Sequence, residues 1–389
     1  MEEEEKPKVN IKELFRNRKN KKFLNVVAPM VRYSRLEFRS LTRKYGADLC
    51  FTPMTIASSF ARNENARQVD FSTNYLDSPV IVQFASNNSI EFLYASQMIM
   101  KYVDGVDLNA GCPQSWAIAD HLGCYLLRKP EIIEDIMKTA RRNLPSDFSI
   151  SCKIRLLKKD NIKATINMVQ QLEKLDVSFI TIHGRTPHEK STRTFPVDTN
   201  ALKEIKKSLH IPVIFNGDIN SLEEAEKFYD ITKCDGMMSA RGILSNPALF
   251  ANFEKTPISC VQDWIDINHM QQDKLTTQNF HHHLTFMLER ILKKPDRIQF
   301  NEFTKKQQCL DFLEEKLSLT PKEIDFPKNV KCIYDDSNYH DLINDKEFIN
   351  SEYSTETSQG KYFISKIYKT RNDNDDYLEF MDDCSSLFE

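Results

Sequence analysis

Eight short apolar runs, each closing on a break, recur along the chain: NVVAPM (25–30), LCFTPM (49–54), PVIVQFA (79–85), GVDLNAGCP (105–113), FSISCKIR (148–155), FITIHGR (179–185), PVIFNGD (212–218) and GMMSARG (236–242). Between most of them the apolar residues fall three and four apart, the spacing of one helix face, as in SIEFLYASQMIMKYV, KATINMVQQLEKL, TNALKEIKKSL and SLEEAEKFYDI. The last opens on Ser221 in the N-cap position with Glu224 three residues on, a capping-box pattern. Parallel strands need a crossover between them, and a helix is the usual one. Eight such units over about 220 residues are the arithmetic of an α/β fold of the (β/α)8 TIM-barrel type. An open, doubly wound sheet is the rival reading of the same pattern.

The ends of the runs favour the barrel. In such barrels the reactive groups gather at the C-terminal ends of the strands. Here those ends carry Pro29 and Met30, Gln83, Asn109 to Cys112, Lys153 and Arg155, His183 and Arg185, Asn216 to Asp218, and Arg241. The turn peptides Asn216-Gly217-Asp218 and Ala240-Arg241-Gly242 bring backbone N–H groups and one guanidinium to the place where many barrels hold a phosphate. Lys153 and Arg155 share a face by strand alternation. A fixed cation there suits negative charge on an enolate or a reduced flavin, or else is a rim lysine that snorkels. Gln83 offers a donor and an acceptor to a ring edge, or is a satisfied core amide. His183 is open to the same two readings. Cys112 is set apart from the other cysteines because its neighbours, Gly111 and Pro113, are turn formers.

From 256 to 317 the pattern is helical throughout, in VQDWIDINHM, HHHLTFMLERILKK and EFTKKQQCLDFLEEKL. We therefore divide the chain into a charged N-terminal segment (1–22), the barrel (23–255), a small all-helical domain (256–317) and a C-terminal extension (318–389). The extension holds 8 Lys+Arg against 16 Asp+Glu and is expected to be largely disordered, whereas residues 1–317 carry 45 basic against 40 acidic residues. The overall net charge of -3 thus conceals a mildly basic body. The successive histidines His281, His282 and His283 point in different directions from a helix and are not expected to ligate a metal, and none of the 9 cysteines forms a CxxC pair. No apolar run approaches the roughly 18 residues of a membrane span. The acidic start MEEEEKPK resembles neither a signal nor a transit peptide, so the expected location is cytoplasmic, with the nucleus also open to it.

Taken together, APM (28–30), VQF (82–84), DLNAGCPQ (107–114), KIR (153–155), HGRT (183–186), NGD (216–218) and ARG (240–242) stand in the order of the tRNA-dihydrouridine synthases, which the chain resembles over residues 23–317. The wording APMVRYS, GCPQSWA and SARGILSNPALF is most similar to the branch acting at positions 20a and 20b of the tRNA D-loop. The resemblance implies flavin-dependent reduction of the uridine C5–C6 double bond, with FMN as cofactor and NADPH or NADH as reductant. It places Pro29, Met30, Val31, Gln83 and Lys153 at the flavin ring, and His183, Asn216, Gly217, Asp218, Ala240 and Arg241 along its phosphate arm. It makes Cys112 the proton donor, a role that suits a thiol largely protonated at neutral pH. Asn109 is then expected at the uracil edge or the loop, and Arg185, Lys293, Lys294 and Arg297 at the tRNA. The chain departs from the broader family at Ala240, often Gly there, and over PHEKSTRTFPVDTN (187–200).

Two further readings stay open on the residues alone. One is an FMN barrel that reduces a free pyrimidine or an enone, which has no need of the helical domain or of its basic positions Arg290, Lys293, Lys294, Arg297, Lys305 and Lys306. The other is a non-catalytic tRNA-binding protein on the same fold. No membrane and no stable protein partner is implied.

Overall fold

The computed structural model describes residues 8–18, 21–189, 194–270 and 277–332. Each of the eight apolar runs contributes one strand: β1 (Leu24–Val27), β2 (Leu49–Phe51), β4 (Val80–Ala85), β5 (Gly105–Ala110), β6 (Ser149–Arg155), β7 (Phe179–His183), β8 (Val213–Asn216) and β9 (Gly236–Ser239). All pair in parallel, β2 with β4 and β9 with β1, so the sheet closes into a ring of eight. The closed TIM barrel is therefore the architecture, and the open sheet is excluded. One strand escaped the sequence pattern: β3 (Thr55–Ile56) is a two-residue strip beside the end of β4, with Thr55 opposite Phe84. Two residues are too few to show alternation.

Strand alternation sorts the side chains. Phe84 and Phe215 turn outward, Phe84 against Phe60 and Phe92 and Phe215 stacked on Phe228, all three on surrounding helices. Phe51 and Phe179 turn inward and meet across the lower barrel, their ring centroids 6.3 Å apart. The bottom is closed by the N-terminal helix Ile11–Arg16, whose Phe15 sits 5.5 Å from Phe179. The segment read from its charge alone thus supplies two core residues, Ile11 and Phe15, spaced i, i+4. Polar caps start the crossover helices: Asn88 accepts from the N–H of Ile90 and Glu91, Asp198 from Ala201, and Ser221 from Glu224. The Glu224 carboxylate reaches back to the N–H of Asn220, one residue before the cap.

The C-terminal helices Ile258–Met270, Thr277–Leu288, Lys294–Asn301 and Lys306–Leu317 pack on the barrel through aromatic rings. Trp264 and His283 lie 4.5 Å apart, and both contact Phe38 on the helix Leu36–Lys44, which follows β1. His281 stacks on Phe300 and pairs with its carbonyl at 2.8 Å, whereas His282 and His283 both lie against Tyr33.

Residues 318–332 depart from the disorder expected of the extension. They run back as a strap whose Val330 bridges Thr73, whose Lys331 donates to the Gln68 carbonyl and whose Cys332 is buried against Met98. The sparse apolar residues Val330 and Cys332 escaped a reading that weighted composition. The remainder, 333–389, lies outside the described residues.

Because Trp264 is fully buried in the core shared by barrel and helices, Trp264→Ala should destabilise both together, by about 3–5 kcal/mol. Urea unfolding followed by circular dichroism and by fluorescence checks this. A single transition shifted to lower urea is expected, and two separate transitions would show that the helices are held independently.

Candidate active site at the barrel mouth

A polar layer crosses the barrel above its aromatic floor. The strand register sets Gln83 beside Asp107 and Asp107 beside Ser151. Gln83 Nε2 donates to Asp107 Oδ2 at 2.8 Å, and Ser151 Oγ donates to Asp107 Oδ1 at 2.7 Å. One step up β5, Asn109 Nδ2 donates to Gln83 Oε1 at 2.8 Å. Asn109 Oδ1 then accepts from the N–H groups of Gly111 at 3.1 Å and Cys112 at 2.9 Å. The strand thus ends on Asn109 because its amide fastens the turn that follows. Of the two places expected for Asn109, the amide holds the loop.

Below that turn, the Cys124 N–H donates to the Cys112 carbonyl at 2.9 Å. Gly123 makes the approach possible, since a Cβ there would lie 2.5 Å from the Cys112 oxygen and its φ is +59°. Arg155 Nε donates to the Gly111 carbonyl at 3.0 Å and Arg155 Nη1 to the Thr186 carbonyl at 3.2 Å, tying two mouth loops together. Cys112 itself is half-buried at the rim.

Lys153 stands opposite Asn109 on β6. Burial, reinforced by the Arg155 charge, lowers its pKa to about 8, and the Asp107 carboxylate acts against that fall. Next to it on β7 are Thr181 and, one rung higher, His183. Burial and the surrounding cations Arg155, Lys153, Arg185 and Arg241 push the imidazole well below its ordinary range, so His183 is neutral. Thr181 Oγ1 and His183 Nδ1 are buried and find no hydrogen-bond partner among the described residues. Buried polar atoms are normally paired, so two orphans in one mouth mark a place for a ligand's polar groups.

The β8 and β9 ends build the other side. Gly217 has φ +125°, and a Cβ there would lie 2.4 Å from Val197 Cγ1, so only glycine fits. Asn216 Nδ2 donates to the Met238 carbonyl at 3.0 Å, joining the two rims. Asp218 pairs with Arg185 and lies 3.6 Å from the Arg241 guanidinium. Gly242 allows Ala240 and Arg241 to sit against the loop that follows β8, since a Cβ at 242 would lie 2.2 Å from the Ile219 oxygen. From β1, Met30 is pinned by Ser34, whose Oγ accepts the Met30 N–H at 3.0 Å, while the next residue, Val31, is 41% exposed.

A family model described as Dihydrouridine synthase (Dus) matches residues 26–318. The chain belongs to the dihydrouridine synthase family. It is 43% identical over 293 residues to a Homo sapiens protein named tRNA-dihydrouridine(20a/20b) synthase [NAD(P)+]-like, covering 75% of this chain and 90% of that one. A Schizosaccharomyces pombe protein named tRNA-dihydrouridine(20a/20b) synthase [NAD(P)+] is 38% identical over 287 residues, 73% of this chain and 85% of that one. A Mus musculus protein named tRNA-dihydrouridine(16/17) synthase [NAD(P)(+)]-like is 36% identical over 245 residues, 62% of this chain and 51% of that one.

Within this dihydrouridine synthase the expected site residues fall into three groups. Pro29, Met30, Val31, Asn109, Cys112, Lys153, His183, Asn216, Gly217, Asp218, Ala240 and Arg241 all lie at strand ends or in the loops that follow them on one rim. Two residues have other tasks than those expected. Gln83 is 1% exposed, and its oxygen and one amide hydrogen are committed to Asn109 and Asp107, so it supports the turn. Arg185 is also 1% exposed and spends its guanidinium on the Phe195 carbonyl and Asp218, so it organises the 185–197 loop rather than meeting tRNA. Lys293, Lys294 and Arg297 lie apart from the mouth elements, at the start of the helix Lys294–Asn301. Lys293 and Lys294 are exposed, and Arg297 donates to the Glu289 carbonyl. Asp107, Ser151 and Gly123 were given no part in the site by the sequence, and Arg155, marked there at its strand end, was given no role. An acidic residue on the inward face of a core strand, two places before Asn109, was the signal for Asp107.

The depressed Lys153 pKa carries a pH signature. The unfolded chain holds this proton up to about pH 10.5, whereas the folded chain releases it near 8, so stability rises with pH between those values. Lys153→Met should remove that component. Thermal melts of the cofactor-free proteins at pH 7 and 9.5 should show the wild type gaining on the variant at the higher pH, and a constant difference would refute the assignment.

Proposed function

We propose that this chain reduces the C5–C6 double bond of uridine in tRNA, at positions 20a and 20b of the D-loop, with FMN as cofactor and NADPH or NADH as reductant. The observation that carries the reading is the Cys112 turn, fastened by Asn109 on the same rim as Lys153, His183 and the Gly217 turn. The preference for 20a and 20b rests on relatives of that name, which are more similar over more of the chain than the 16/17 relative.

The mouth fits a flavin. The orphaned atoms of Thr181 and His183 call for polar ligand groups, and Lys153 supplies a cation beside them. Met30 and the exposed Val31 offer apolar surface to the ring, with Pro29 before them. Arg241 and the backbone of Gly217 and Ala240 would hold the phosphate, with Asp218 aiming Arg241 rather than meeting the phosphate itself. When bound, the flavin supplies a hydride to uracil C6. The protein's own task is to bring a proton to C5, which Cys112 carries on its sulfur. Lys153 stabilises negative charge in the mouth, and Pro113 with Gly111 restricts the thiol's swing.

Cys112→Ala should therefore separate two half-reactions. Reduction of the flavin by NADPH should stay within about twofold of wild type, while uridine reduction should fall by about 100-fold or more, as loss of a positioned general acid does. Stopped-flow absorbance reads the first and dihydrouridine mapping the second. Wild-type conversion of tRNA by the variant would make Cys112 structural.

The tRNA surface is assigned to the helical segment, where Lys293, Lys294 and Lys305 are exposed. Lys306 is less available, lying over the Phe280 ring and donating to the Asn268 carbonyl. Reversing Lys293, Lys294 and Lys305 to Glu should weaken tRNA binding and flatten its salt dependence, by roughly 0.7–0.9 in log K per salt decade for each phosphate that the protein no longer neutralises. Flavin content should not change. Filter binding at two salt concentrations measures this, and an unaltered slope would place the RNA surface elsewhere.

A further inference from the structure

Asp107 lies one rung below Asn109, and no step above uses it. Its carboxylate accepts from Ser151 Oγ and Gln83 Nε2. An ionised carboxylate only accepts. Gln83 must therefore turn its NH2 toward Asp107 and its oxygen toward Asn109, and Asn109 must answer with its own NH2. That leaves Asn109 Oδ1, and no other atom of the side chain, facing the N–H groups of Gly111 and Cys112. An amide has nearly the same shape either way round, so hydrogen-bond partners alone decide its direction. The reverse arrangement would set the Asn109 NH2 against two backbone donors and release the turn.

We propose that Asp107 is a positioning residue for the Cys112 thiol: the acceptor oxygen it turns toward Gln83 sets the direction of the Gln83 and Asn109 amides, and that direction pins the Gly111–Cys112 backbone. The proposal rests on the reading of Cys112 as proton donor. Burial raises the Asp107 pKa to about 6, while the Gln83 and Ser151 hydrogen bonds and the Lys153 charge act against the rise, so the acceptor-only form prevails above pH 7.

The chain of donors and acceptors predicts a rescue that size and burial alone do not. Asn109→Asp sets an acceptor against Gln83 Oε1, and turning Gln83 over then sets that oxygen against Asp107. Adding Asp107→Asn lets the amide at 107 donate to the reversed Gln83, whose NH2 now meets the carboxylate at 109, and the carboxylate still accepts from Gly111 and Cys112. Asp107→Asn alone keeps the original direction, with the new amide oxygen facing Gln83 and its NH2 facing the Ser151 hydroxyl. Asp107→Leu abolishes the direction.

The full-length holoenzyme and its variants should be assayed at pH 7.5 for flavin reduction by NADPH, for uridine reduction in a single turnover on tRNA, and for thermal midpoint. Asn109→Asp and Asp107→Leu should slow the uridine step by about tenfold or more, while flavin reduction stays within about twofold, the pattern of a misplaced group rather than a damaged fold. Asp107→Asn, whose amide oxygen can still face Gln83, should lose some of the uridine rate but clearly less than Asn109→Asp. The double variant should recover most of the rate and the thermal midpoint lost in Asn109→Asp. A double variant no better than Asn109→Asp, or an Asp107→Asn variant as slow as Asn109→Asp, would overturn the proposal, and both comparisons stand if Asp107→Leu does not fold. Cys112→Ala runs alongside, and wild-type uridine reduction there would instead overturn the proton-donor reading.

Discussion

Closure of the sheet between β1 and β9 is the constraint from which the site follows. Val26 and Val27 of the first strand pair with Met238 and Ser239 of the last, although more than 200 residues separate them. Parallel strands in a closed ring all end on the same rim, so Met30, Cys112, Lys153, His183, Gly217 and Arg241 are brought to one mouth without any direct attraction between them. The cost of closing loops grows slowly with their length. It is offset by the apolar outer face of every strand, which the helices cover.

The interior is less apolar than a barrel built only for stability requires. Phe51, Phe179 and Phe15 fill its floor, but the layer above is Gln83, Asp107 and Ser151, and above that stand Asn109, Lys153 and Thr181. Burying such groups is unfavourable unless each finds a partner. The lower layer is satisfied internally and rigid as a result. The upper residues include Thr181 Oγ1 and His183 Nδ1, which no described residue satisfies. The gradient from satisfied to unsatisfied polar atoms marks where structural support ends and ligand chemistry begins.

The C-terminal helices are joined to the mouth as well as to the outer wall. Tyr33, three residues after Met30, packs on His283 and Phe286, and Ser34 fastens Met30 in the same turn. The loop proposed to meet the flavin and the helices proposed to meet tRNA therefore share a packed contact. The strap 318–332 adds a tether on another flank, where Lys322 N–H meets Asp266 and Val330 meets Thr73.

The sequence by itself determined the barrel, because strand and helix periods alternate eight times and a parallel crossover fold leaves few alternatives. It also marked most rim residues, since polar residues at the ends of apolar strands are conspicuous. Family wording supplied the chemistry that periodicity does not encode. Only the tertiary structure decided which polar groups were already spent. Gln83 and Arg185 have the right chemistry for a ligand, yet Asp107 and Asn109 occupy the first and Asp218 and the Phe195 carbonyl the second. Those partners lie 10 to 33 residues away along the chain, on other strands and loops. A side chain's residual hydrogen-bonding capacity is what remains after its neighbours in space are satisfied, and no local stretch of sequence contains that remainder.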